Sequence, residues 1–288
     1  MFPRLLLIAF LTTLSIVRQV FLFGLAAAFL FCSLGVRLAV AAPQTVERDP
    51  QALALIASSL KALTGGVTVN DVILQASASY VAGSDQESGT ATLTARGNEQ
   101  GLVQLSLDAG SRQEMRSGPA GARSGPDGVS YCMAAHNCWT DASWFFPALT
   151  LEAIAADLQA SVSYLGTDTS KGRPLLHLQV ARVLAGQSAA TTAEVVRLST
   201  MDIYFDRQSL LPVVLDFITH PDKDENTNIP VEIQFGNFQS ISGGLVPFRI
   251  QKYLQGTLTL DLTVTSVLLN SGVPDSEFTL SCAQGGQQ

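Results

Sequence analysis

The chain has 288 residues, 47% of them hydrophobic, and a formal net charge of −7 from 17 basic and 24 acidic residues. That apolar content can fill one large core or two small ones. The acidity argues against a nucleic-acid partner, whose phosphates demand a basic footprint, and against electrostatic docking on anionic lipid.

Residues 5–17 and 20–34 are almost wholly apolar, broken by Arg18-Gln19. Arg4 or Arg18 supplies a basic start, and Ala39-Val40-Ala41 is a small-x-small pattern just before Ala42-Pro43. Residues 1–42 therefore read as a secretory signal peptide, and a translation start near Val17 would leave one of ordinary length. The alternative is an uncleaved anchor, since a span needs about 20 apolar residues. Cys32 follows Phe29-Leu30-Phe31, without the small residue that lipid attachment requires. Loss of 1–42 leaves 14 basic against 24 acidic residues, a net charge of −10. A single domain is expected over 43–283, with 284–288 a frayed tail. The chain is expected to be exported, or to stay anchored at the membrane if the leader is kept.

Asp49 is a plausible N-cap, Pro50 suits the first helical position, and Leu53, Ile56, Leu60 and Leu63 form a stripe at helical spacing. Gly65-Gly66 stops the pattern, predicting a helix over Pro50–Thr64. Period-2 alternation follows at 72–80, 90–96, 102–107 and 112–117, with turns at 83–85 and 97–98, as in a β-meander. The glycine- and proline-rich run 118–128 reads as a loop. Next come an irregular aromatic stretch at 138–147, a short helix at 150–158, and strands at 161–166 and 175–183. Residues 190–198 read as a helical turn or a loop.

From Met201 the chain is strand after strand, at 201–205, 213–218, 231–238, 245–254, 257–267 and, last, 278–281. The run 257–265 is the clearest: Leu258, Leu260, Leu262 and Val264 share one face, and Thr257, Thr259, Asp261, Thr263 and Thr265 the other.

No catalytic constellation emerges, so a non-enzyme without cofactor is expected. Ser58-x-x-Lys61 lacks its partner motifs, and there is no nucleophile elbow, zincin motif or P-loop. Cys132-x3-His136-x-Cys138 has too few ligands for zinc. Asp222, Asp224 and Glu225 lack the further ligands and glycine turn of a calcium loop, so no metal is expected. Cys132, Cys138 and Cys282 would meet an oxidising compartment. The short Cys132–Cys138 loop is the easiest disulfide, though it leaves Cys282 single, so the other pairings stay open. Trp144-Phe145-Phe146-Pro147 places three rings in a non-strand segment, either as a core plug or as a movable lid over an apolar cavity.

Several pieces resemble the periplasmic lipoprotein-carrier fold of LolA, LolB and RseB. They are Ile203-Tyr-Phe-Asp206 with Leu211-Pro212, Gly244-Leu-Val-Pro247, Leu258-Thr-Leu-Asp-Leu-Thr-Val264, and residues 269–278 with Asn270-x-Gly272-x-Pro274-x-x-x-Phe278. The resemblance implies a mainly β (α+β) fold: a curved, open antiparallel half-barrel covered by the N-terminal helix and a short helical plug. It also implies a non-catalytic monomer that holds a lipid or lipoprotein acyl chain in an apolar cavity and touches membranes transiently. The alternative is an RseB-type interaction module or stress sensor with an envelope protein partner and no cargo. A hydrolase and an outer-membrane barrel are weaker readings, since the strands lack an aromatic girdle. Candidate cavity residues are Phe217, Phe235, Phe248, Leu258, Leu260 and Leu262, gated near Trp144, Phe145 and Phe146. Under a lid, Phe145→Ala should weaken binding more than folding; equal losses would mark a core residue.

Overall fold

The computed structural model describes residues 46–97, 99–140, 142–279 and 281–282. The leader, its cleavage site and the tail at 284–288 lie outside the described residues.

Helix α1 runs over Pro50–Thr64. The Asp49 carboxylate accepts from Gln51 N–H, and Gly65 ends the helix in the left-handed region at φ 61°. Just before it, Glu47 and Asp49 pair with Val162 on a neighbouring strand. Arg48 reaches the carbonyls of Ile154, Ala155, Asp157 and Ala160. The first described residues are thus anchored to the domain.

Two antiparallel meanders form one 13-stranded sheet among the described residues. The first comprises β1 Asp71–Ala82, β2 Asp85–Arg96, β3 Gln100–Leu107, β4 Gly110–Ser117, β5 Ala120–Ser124 and β6 Ser130–Cys132. The second comprises β7 Ala160–Asp168, β8 Leu175–Arg182, β9 Met201–Asp206, β10 Pro212–Thr219, β11 Ile229–Ile241, β12 Gly244–Leu254 and β13 Thr257–Leu269. Every neighbour is a sequence neighbour except β1 and β13, whose pairing joins the meanders. The order runs from β6 at one edge to β7 at the other, so the sheet is open. Helix α2, Pro147–Ala156, packs against α1, and both cover the inner, apolar face; α3, Ala189–Ser199, packs beside β8 and β10.

The alternation of β13 holds in its middle, where Leu260, Leu262 and Val264 enter the core. Two bulges change it at the ends. Leu260 faces Lys252 while Leu258 faces Tyr253, leaving Thr259 extra. Val264 faces Ala76 while Ser266 faces Gln75, leaving Thr265 extra. Both threonine hydroxyls donate to the carbonyl across, on Lys252 and Gln75. Each bulge inverts the side-chain faces beyond it. Val267 and Leu269 therefore pack on the core, Leu268 is exposed, and Leu258 falls outside the core cluster.

Three sequence expectations are corrected. Within 118–128 the chain forms β5, because its small residues lie under the segment that crosses the sheet between β6 and α2, residues 133–146. A Cβ on Gly121 would meet Cys138 Sγ and Met133 Sδ, each at 2.9 Å. Of the predicted strand at 278–281, the described residues 278, 279 and 281 lie in no strand; a 3₁₀ turn over Asp275–Phe278 seats Phe278 with Leu102, Met115 and Val273 on the outer face.

The disulfide is Cys132–Cys282, not Cys132–Cys138. Cys132 pairs with Ala122, which pairs with Met115 on the outer face, where the C-terminal segment lies. Cys138 packs over Gly121, whose partner Arg116 lies on the inner face. Although only six positions apart, the two thiols stand on opposite sides of the sheet.

Gly101 on β3 makes the closest approach between sheet and crossing segment: a Cβ there would stand 2.1 Å from Ala142 O. Backbone cannot yield as a flexible side chain does. Gly101→Ala should cost about 1–3 kcal/mol through overpacking. An unchanged denaturant midpoint would refute the contact.

Candidate functional site

The inner face of β4 is charged, not apolar. Arg112, Glu114 and Arg116 lie opposite Leu105, Val103 and Gly101 of β3, all on the inner side. Arg123 of β5 lies opposite Glu114. From β12, Lys252 enters the same space in phase with Val246, Phe248 and Ile250.

Each guanidinium has its carboxylate. Arg112 makes a two-point contact with the buried Glu87 at 2.6 and 2.9 Å, 4.7 Å above the Tyr80 ring. Arg116 pairs with Glu114 at 3.0 Å and donates to Thr140 at 2.9 Å. Arg123 pairs with Asp222 at 2.5 Å. Burial would raise Glu114, but the Arg116 guanidinium and the Lys252 ammonium beside it hold it below the ordinary carboxylate value. Lys252 Nζ lies 4.8 Å from the centre of the Trp144 ring. Burial pushes this ammonium below the ordinary lysine value; Glu114 opposes that shift and Arg116 reinforces it.

Arg112, Glu114, Arg123 and Lys252 line a cavity of about 300 Å³ whose apolar wall includes Val103, Leu105, Trp144, Leu254 and Leu260. The volume is at the lower end for small-molecule sites. The crossing segment roofs it, and Asn137 clamps that segment. Its side-chain amide donates to His220 O and Asp222, and its oxygen accepts from Thr219 and His220 N. Asp222, the first acid of the 222–225 run, thus holds chain segments together. Asp224 likewise caps its own loop through Asn226 N–H and the Thr227 hydroxyl.

Of the sequence-derived candidates, Trp144 and Leu260 line this cavity. Phe145, Phe146, Phe217, Phe235 and Leu262 belong to the continuous core, with Phe145 at 0% exposure. Phe248 is half-buried against that core, and Leu258 stands apart from it. Arg112, Glu114, Arg123 and Lys252 are site residues that sequence reasoning missed. Their signal was charge at period 2 within predicted strands: Arg112-x-Glu114-x-Arg116, and Lys252 in an otherwise apolar row. Among the described residues, no cluster of three His, Cys, Asp or Glu is placed to hold a metal, and no helix is long and apolar enough to cross a membrane.

No protein-family model matches the chain, and no curated protein matches its sequence. Solved structures do. A LolA superfamily protein of Nitrosomonas europaea superposes with a TM-score of 0.52 at 12% identity, over 80% of this chain and 97% of the other. A putative outer membrane lipoprotein-sorting protein domain of Vibrio parahaemolyticus gives 0.50 at 11% identity, over 79% and 96%. Identities this low speak to architecture alone. With its open antiparallel sheet and helix-covered inner face, the chain has the LolA-like half-barrel fold.

Proposed function

We propose that the protein is an exported, non-catalytic periplasmic carrier that holds a lipid or lipoprotein acyl chain on the inner face of its half-barrel. The observation that supports this most is the cavity beside Trp144, whose apolar side is formed by Val103, Leu105, Trp144, Leu254 and Leu260. Each buried CH₂ contributes about 0.8 kcal/mol, so some ten of them reach the ~8 kcal/mol of micromolar binding. Trp144 forms part of the chain's wall, and the crossing segment around it is the natural gate. On this reading residues 1–42 are the export signal and 43–283 the working domain.

Native mass spectrometry of exported protein, followed by organic extraction, tests the proposal. A stoichiometric lipid or acyl chain is expected. Protein that stays bare after incubation with envelope lipids would overturn it. The second reading, an interaction module without cargo, would then lead; the complete burial of Phe145 and its neighbours favours it, because a filled core needs no guest.

A further inference from the structure

The site's charges do not balance. Arg112, Arg116 and Arg123 meet Glu87, Glu114 and Asp222 one for one. Lys252 is left over: among the described residues, no carboxylate oxygen lies within 4.0 Å of its ammonium. Its near contact is the face of Trp144, and it lines the cavity. A half-buried cation whose nearby carboxylate, Glu114, is already in contact with Arg116 is costly, and an indole face offsets only part of that cost. The groups that line the cavity are the nearest to it and set what it attracts. Those neighbours are Glu114, already engaged by Arg116, the guanidiniums of Arg112 and Arg123, each held by its own carboxylate, and an apolar wall.

We infer that this cavity takes an amphiphile with one acyl chain and an anionic headgroup, a carboxylate or a phosphate, which sits on Lys252 while the chain lies along Trp144, Val103, Leu105, Leu254 and Leu260. The inference rests on the carrier reading and adds the headgroup to it. A charge-assisted hydrogen bond in a water-poor site is among the stronger polar contacts. It supplies selectivity that the apolar wall cannot, because CH₂ groups look alike to any chain. The cavity volume suits one chain rather than a diacyl lipid.

The experiment compares dodecanoate, dodecyl phosphate and neutral monolauroylglycerol by displacement of a fluorescent acyl probe. Binding of the anions at least tenfold tighter than the neutral ester is expected, and the ratio between the two anions separates a carboxylate reader from a phosphate reader. Lys252→Met keeps the apolar stem and should erase the preference while leaving monolauroylglycerol within about twofold. Lys252→Gln keeps a polar tip without the charge and should erase the preference likewise, so the question stays decidable if Lys252→Met misfolds. Equal binding of all three by wild-type protein overturns the headgroup assignment and leaves the carrier standing. Binding of none removes the carrier reading itself.

Discussion

Cys282→Ser is expected to lower the unfolding free energy by roughly 2–5 kcal/mol, and Cys132→Ser by the same amount. The bond spans 150 residues of sequence, and closing a loop of that length removes about 5 kcal/mol of denatured-chain entropy on the simple chain model. The C-terminal segment adds to this by seating Val273 and Phe278 against Leu102 and Met115 across the outer face. The double variant should be no worse than either single one, because each change breaks the same bond. Reductant should reproduce the loss in wild-type protein and do little to the variants. Cys138→Ala serves as the control. Its thiol is buried and unpaired, so about 1 kcal/mol is expected from its lost packing alone. Denaturant titrations would check the values, and a non-reducing digest would check the pairing directly. A peptide linking Cys132 to Cys138 would refute the arrangement.

The preference for the wrong pair shows where sequence reasoning stops. Short loops close easily, and sequence distance favoured Cys132–Cys138. Sheet faces overrode it. A strand and the segment that crosses it present neighbouring residues to opposite sides, and only the register reveals which side each takes. Local signals did better. Asp49, Pro50 and Gly65-Gly66 bounded α1 correctly because capping chemistry is written within a few residues. The hairpins were legible for the same reason. Residues 118–128 were misread because glycines and prolines report backbone freedom, not what packs above them, and 278–281 because Phe278-Thr-Leu-Ser281 alternates like a strand while Phe278 closes a 3₁₀ turn.

The candidate site was half legible. The fold and its apolar inner face followed from period-2 runs, and Trp144 and Leu260 were found by bulk and hydropathy. Leu258 was misplaced by a bulge that alternation cannot foresee. The charged members were missed for a different reason. Arg112, Glu114 and Lys252 looked like ordinary polar positions until strand pairing set them on the inner side. In a half-barrel that departure from the binary pattern separates a place where a ligand can be recognised from a core that merely fills.

Phe145→Ala should cost about 3–5 kcal/mol of folding stability, the range for deleting a fully buried ring. Of the two readings the sequence left open, a lid would put the larger effect on binding and a core plug would not. Burial favours the plug. Phe145 stands edge-on to Trp144, with ring centres 5.6 Å apart, at 0% exposure and outside the cavity wall. Its ring holds the crossing segment down; Trp144, one residue earlier, turns its face to Lys252 and the cavity. At a temperature where the variant is still folded, dodecanoate affinity should therefore stay within a few-fold of wild type. Trp144→Leu should do the converse, losing less stability because much apolar bulk remains, but weakening chain binding about tenfold through the altered wall. Calorimetry and probe displacement on the two variants give four numbers. If Phe145→Ala loses more affinity than stability, the ring moves when cargo enters, and the buried conformation described here is the closed state of a gate.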